Sequence, residues 1–264
     1  MNPSEIYRLV AVSYLNTKPF LYGIFQHEIA QQLRISLDIP SVCAAKLQSG
    51  EADLGLIPVA AIPHLSSPHI ISDFCIGAVG QVATVCIYSN VPLSDIKTLY
   101  LDFHSRTSVA LTKLLIKDFW HIQPTLKADS EGNEGAKHIG GTTAALVIGD
   151  KAIGLEQRFK YTYDLAEAWM QYTGLPFVFA AWVSNRPLDP EFIRKFNVAL
   201  QIGLDHIPEL TALMPDSIAK NAHFNLEKYF SENISYTLDD RKKRALDLFL
   251  NAISPNLKLE YLTA

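Results

Sequence analysis

Leu9-Val10-Ala11-Val12-Ser13-Tyr14-Leu15-Asn16-Thr17-Lys18-Pro19-Phe20 is an apolar run stopped by small polar residues, an amide and a proline. Residues 9–12 read as a strand, the following residues as a loop leaving it, and residues from about 20 to 32 as a helix. Pro19 fixes the direction of the loop, and Asn16 offers donors and an acceptor where the loop departs. Such a placement suits holding a small polar molecule; the plainer alternative for Asn16 is an Asx-turn after a strand. The same order of signals returns mid-chain. Residues 98–102 read as a strand and Ser105-Arg106-Thr107-Ser108 as a polar loop. Val109, Leu111, Leu114, Leu115, Ile116 and Phe119 then form the apolar face of a helix. Two polar loops of this kind are what a ligand cleft between two lobes requires.

Outward from these two junctions, strand-like and helix-like pieces alternate. Residues 35–39 form a strand ending at Pro40, Ser41 is a candidate N-cap for a helix over 42–49, and Gly50 stops it. Residues 54–57 are a short buried strand cut by Pro58, and 81–88 a longer β-branched one. This β-α-β order favours a mostly parallel sheet covered on both faces. Residues 126–141 are polar and contain Gly132, Gly135, Gly140 and Gly141, so they read as loop-rich. Residues 144–148 are another buried strand, ending at Gly149-Asp150. Asp164 with Glu167 forms a capping box before a helix that Gly174 ends, and 177–183 are the last apolar strand. Beyond Arg186-Pro187 the chain becomes helical, over 193–213 and 238–253, the second run opened by Thr237 with Asp240. The expected architecture is α/β, with a discontinuous first lobe (1–88 plus 185–264), an inserted second lobe (89–184), and crossover strands near 84–90 and 180–186.

Composition narrows the function. A chain of 264 residues, 48% hydrophobic and 19% charged, can bury a large core as an ordinary globular protein. A net charge of −4 without a Lys/Arg-rich face argues against nucleic acid. The one dense basic run, Arg241-Lys242-Lys243-Arg244, follows two aspartates and reads as the solvated side of a helix. No apolar run approaches the roughly 20 residues that span a bilayer, and residues 1–5 carry no basic leader region, so a cytoplasmic location without membrane attachment is expected. Cys43, Cys75 and Cys86 lie in apolar segments without C-x-x-C pairing, which reads as buried structural thiols. Dinucleotide, P-loop, H-E-x-x-H and G-x-S-x-G patterns are missing, and His27, His64, His69, His104 and His138 show no ligand spacing. Neither a metal nor a cofactor is therefore expected.

The positive signal is for anion recognition. A helix N-terminus introduced by Ser and Thr presents backbone N–H groups, to which Ser105, Thr107 and Ser108 add hydroxyls. Arg106 either clamps a carboxylate with two hydrogen bonds or points to solvent. Asp150, following a strand, reads first as a helix cap.

Five segments together carry a more specific pattern. They are Ser13-Tyr14-Leu15-Asn16-Thr17-Lys18-Pro19; Lys46-Leu47-Gln48-Ser49-Gly50-Glu51-Ala52-Asp53-Leu54-Gly55-Leu56-Ile57-Pro58; and Asp102-Phe103-His104-Ser105-Arg106-Thr107-Ser108-Val109. Ile148-Gly149-Asp150-Lys151-Ala152 and residues 164–180 complete them. In this order, through about the first 184 residues, the chain resembles the menaquinone-biosynthesis family of chorismate dehydratases, the first enzyme of the futalosine route. The helical C-terminal third matches weakly.

The resemblance implies a two-lobed fold like that of type 2 periplasmic binding proteins, with two crossover strands and a ligand cleft between lobes. It implies a cytoplasmic carbon–oxygen lyase acting on chorismate as its small-molecule substrate, with no cofactor. It implies Asn16 as the catalytic residue and Ser13, Tyr14, Thr84, Ser105, Arg106, Thr107, Ser108 and Asp150 as substrate-binding residues. Thr84 departs from the serine expected in a Gly-x-Val-x-Ser-Val strand; the hydroxyl is kept and a methyl is added. Two other functions remain open at this level. One is a 1,4-dihydroxy-6-naphthoate synthase-like enzyme, expected to carry a Pro-Asn-Asp-Thr-like loop and a working histidine. The other is a non-catalytic small-anion-binding protein of the same fold. The oligomeric state is left open.

Overall fold

The computed structural model describes residues 6–102, 104–129, 135–214, 224–255, 257 and 259–262. Phe103, Gly132 and residues 1–5, which entered the sequence reading, lie outside the described residues. In chain order the first elements are β1 (Tyr7–Val12), α1 (Lys18–Gln26), β2 (Leu33–Asp38), α2 (Pro40–Ser49), β3 (Leu54–Pro58) and β4 (His69–Ala78). There follow β5 (Val85–Ser89), β6 (Thr98–Asp102), α3 (Arg106–Leu115), β7 (Thr125–Asp129), β8 (Thr143–Ile148), β9 (Tyr161–Asp164) and α4 (Leu165–Thr173). The chain closes with β10 (Phe177–Ser184), α5 (Pro190–Asp205), α6 (Ile207–Leu213), β11 (Ser235–Thr237), α7 (Asp240–Ile253) and β12 (Glu260–Tyr261).

The strands form two separate sheets. The first runs β11-β4-β10-β3-β1-β2, with β12 also along β4; the second runs β7-β6-β8-β5-β9. The strands β3, β5 and β10 are buried along their whole length, so they lack alternation and read as continuous apolar runs. Both sheets are mixed, which corrects the expected mostly parallel arrangement. β1 is parallel to β2 and β3, while β10 is antiparallel to β3 and β4. In the second sheet β6 is parallel to β7 and β8, while β5 is antiparallel to β8 and β9. The reversed strands, β5 and β10, are the ones by which the chain arrives from the other sheet. They also move the expected boundaries: β5 belongs to the second sheet and β10 to the first, so the chain passes between sheets over 79–84 and 174–176.

Several local expectations change for identifiable reasons. Residues 81–84 are not strand, because the Asp164 carboxylate takes the N–H groups of Val82 (3.0 Å) and Ala83 (2.7 Å), and Ala83 sits at φ +66°. The helix expected over 20–32 stops at Gln26, where His27 becomes extended and its ring caps the next short turn through the Ile29 N–H. α2 begins one residue before Ser41, with Pro40 in the first turn, where its missing N–H costs nothing. The start of the region 126–141 belongs to β7, which pairs in register with β6. The helix over 193–213 breaks at His206, and Pro208 opens the second piece. Asp239, not Thr237, caps α7 by accepting from the Lys242 N–H. Lys242 itself is 1% exposed, with Nζ donating to the Thr237 carbonyl at 2.8 Å, so the basic run is not simply a solvated face.

Helices α1 and α5 approach as closely as two backbones can. A Cβ on Gly203 would overlap the Pro19 carbonyl, and one on Gly23 the Ala199 carbonyl. Glycine at both positions seats α1, and with it the loop that precedes α1, against the core. Among the described residues no helix is long and apolar enough to cross a membrane.

Candidate active site

The loop between β1 and α1 is the first wall of a cavity between the two sheets. Val12 ends β1, residues Leu15–Thr17 form one tight turn, and the side chains of Tyr14 and Asn16 face the cavity. Ser13 does not: its N–H donates to the Asp38 carbonyl at 3.0 Å and its side chain is exposed. Pro40 and Pro58, at the ends of the neighbouring strands, and Ile76, Phe179 and Ala180 complete this side. From the second sheet come Ser105 and Ser108 at the start of α3, Ile148 and Gly149 at the end of β8, and Val85. Val82 and Thr84 of the crossover close the gap. The cavity is narrow, with about 60 Å³ open to a water-sized sphere.

Four expected binding residues thus line it together with Asn16: Tyr14, Thr84, Ser105 and Ser108. Ser105 caps α3, its Oγ accepting from the Ser108 N–H (3.3 Å) and from the Ser108 hydroxyl (3.0 Å). Thr107 turns away; it is buried, and its Oγ1 accepts from the Ala60 N–H of the first lobe at 3.1 Å. Arg106 is exposed and lines a different groove with His64, Lys113 and Ser254. Asp150 does not cap the turn that follows its own strand and does not line the cavity. Its carboxylate accepts from the Leu15 N–H of the opposite lobe, at 3.1 and 3.3 Å.

The wall is apolar except for Tyr14, Asn16, Thr84, Ser105 and Ser108, and it contains no carboxylate or imidazole among the described residues. Burial, and then the nearby Asp102 and Asp150 charges, push the Tyr14 hydroxyl well above its ordinary pKa, so it stays a neutral donor. Among the described residues that buried hydroxyl has no hydrogen-bond partner. The Thr84 hydroxyl pairs with the buried Tyr229 hydroxyl at 3.0 Å. Burial raises the Tyr229 pKa, and hydrogen bonds from Thr84 and Asn16 partly offset that rise. The Tyr236 hydroxyl donates to the Asn16 carbonyl at 3.0 Å. Tyr229 and Tyr236 were not singled out from sequence: they lie in the weakly patterned C-terminal third, Tyr236 being 220 residues from its partner. An aromatic with a polar tip in a buried segment is the one signal they carry.

Comparison with known proteins gives a family and a fold. The model of the menaquinone biosynthesis family matches residues 7–254. A chorismate dehydratase of Thermus thermophilus is 28% identical over 240 residues, covering 83% of this chain and 86% of its own. A solved structure of a protein from Archaeoglobus fulgidus superposes with a TM-score of 0.69 at 15% identity, over 96% of this chain and 98% of that one. The periplasmic aliphatic sulphonate binding protein of Escherichia coli superposes with a TM-score of 0.56 at 15% identity, over 94% and 88%. At such identities the structures speak to fold alone: two lobes of the periplasmic-binding-protein kind, with the cavity between them.

Proposed function

Since the chain belongs to the menaquinone biosynthesis family, we propose that it is a chorismate dehydratase, a carbon–oxygen lyase giving 3-[(1-carboxyvinyl)oxy]benzoate and water. The observation that carries this reading is the composition of the cavity wall: an amide and four hydroxyls from both lobes around an otherwise apolar space. Chorismate fits that description, with a ring to fill the apolar part and oxygens at its edges. The residue roles that follow belong to the same proposal.

The chemistry asks little of a protein base. Removing the C3 proton and the C4 hydroxyl makes the ring aromatic, which drives the reaction. The C3 proton is conjugated through the diene to the ring carboxylate, so charge released at C3 spreads into that carboxylate. Ser105 at the start of α3, itself accepting from Ser108, is suited to donate its hydroxyl proton to it, and donors aimed where charge develops lower the barrier. The Tyr14 hydroxyl is suited to a second substrate oxygen. Asn16 donates to the C4 oxygen as the C4–O bond breaks. With no carboxylate or imidazole in the described wall, the enolpyruvyl carboxylate of the substrate itself takes the C3 proton. The C3–H electron pair becomes ring π density, and the C4 hydroxyl leaves as water, protonated by the enolpyruvyl carboxyl group that took the C3 proton. Enclosure between lobes holds this geometry and excludes solvent.

A wall without histidine among the described residues supports this reading over a naphthoate-synthase-like one. Incubating the protein with chorismate and following a new aromatic ultraviolet band tests it. A non-catalytic binding protein would retain chorismate unchanged. The cytoplasm, where chorismate is made, is the proposed location.

A further inference from the structure

The loop bearing Asn16 is held from both lobes. At the end of β8, Gly149 adopts a left-handed conformation (φ +65°) and its N–H donates to the Thr84 carbonyl at 2.8 Å. A Cβ at Gly149 would stand 2.9–3.0 Å from the Tyr14 ring, so only glycine lets this turn close down on the loop. The turn delivers Asp150, whose two carboxylate oxygens lie 3.1 and 3.3 Å from the Leu15 nitrogen. Leu15 opens the single turn that contains Asn16, and the first N–H of a helical turn finds no partner inside it. Asp150 supplies that partner from the other lobe. On the far side of Asn16, the Tyr236 hydroxyl holds its carbonyl from the first-lobe side, at 3.0 Å.

We propose that Asp150 is a positioning residue for Asn16, a clasp through which the second lobe sets the loop when the lobes come together. This rests on the dehydratase reading of Asn16. Asp150 does not line the cavity, and its carboxylate is engaged with Leu15, so its effect on the substrate passes through the loop. Separation of the lobes breaks the bond and frees the loop, which ties the placement of the amide to closure of the cavity.

The test compares Asp150→Ala with Asp150→Asn, the latter keeping an oxygen that can accept from the Leu15 N–H. Misplacing a catalytic group by an ångström costs up to about a hundredfold, so Asp150→Ala should lower kcat at least about tenfold while KM changes little. Asp150→Asn should recover most of that loss. In hydrogen exchange, the Leu15 amide should exchange faster in Asp150→Ala than in wild type or Asp150→Asn, with the core strands β3 and β10 unchanged. Wild-type kcat in Asp150→Ala would overturn the proposal. So would an Asp150→Asn as impaired as the alanine variant, or a loss confined to KM. If wild type itself leaves chorismate unchanged, the dehydratase reading fails, and the exchange comparison still decides whether the clasp exists.

Discussion

Asn16 sits at the meeting point of three chain segments: its own loop, the β8 turn through Leu15, and the C-terminal tyrosines. In the proposed mechanism its amide gains most when charge appears on the departing oxygen, so Asn16→Ala should lower kcat by about a hundredfold with a small change in KM. Steady-state kinetics with near-normal kcat and lost affinity would reduce Asn16 to a positioning role. Ser105 and Ser108 are three apart and share one face of α3, which is why both reach the cavity. Arg106 and Thr107 lie between them and are rotated to other faces, so a run of four polar residues could not all serve one ligand. Ser105→Ala should raise KM and also cost about 1 kcal/mol of stability through the lost N-cap, whereas Arg106→Ala should leave kcat and KM unchanged. The thiols were legible as structural: all three are buried, and burial pushes Cys43 and Cys75 up to about 12 and Cys86 also upward. A thiol reagent at pH 8 should label none of them rapidly in the native protein and all three after unfolding. Fast labelling of one native thiol would contradict the burial.

Elements explain how those residues are held. Asp164 was legible as a helix cap, and its Oδ1 does accept from the Ala166 and Glu167 N–H groups. Its second role was not legible, because the partners Val82 and Ala83 are about 80 residues away. Glu167, expected to close the capping box, instead accepts from the Gln81 side chain at 3.1 Å. Asp164→Ala should therefore cost about 3 kcal/mol in urea unfolding, from a lost cap and buried N–H groups left unpaired near Thr84. A cost below 1 kcal/mol would show that the crossover does not depend on it. The contact of α1 with α5 makes a similar claim. Gly203→Ala pushes a methyl into the Pro19 carbonyl, so it should destabilise by about 1–3 kcal/mol and also lower kcat, because α1 carries the Asn16 loop. Neither glycine was legible, since close backbone approach leaves no trace in hydrophobic periodicity. The same limit applies to helix ends: His27 and His206 break apolar patterns that look continuous because tertiary packing, not propensity, decides where each helix stops.

At the scale of the whole molecule, the repeated strand–polar loop–helix order was enough to expect two α/β lobes with a site between them. It could not show strand direction, because a buried strand is apolar whether its neighbours run parallel or antiparallel. Thus β5 and β10 were recognised as strands but assigned to the wrong sides of the crossover. The fold leaves the cavity walls on two bodies, with Asn16 on one and Ser105 and Ser108 on the other, so that neither lobe alone holds the full set of donors. That division is what makes closure part of the proposed chemistry. The most direct measurement is a single incubation of the purified wild-type protein with chorismate, followed by ultraviolet absorbance and mass analysis. The expected result is loss of chorismate with stoichiometric appearance of an aromatic product lighter by one water. Chorismate that is bound and recovered intact, or converted without loss of water, would contradict the dehydratase reading.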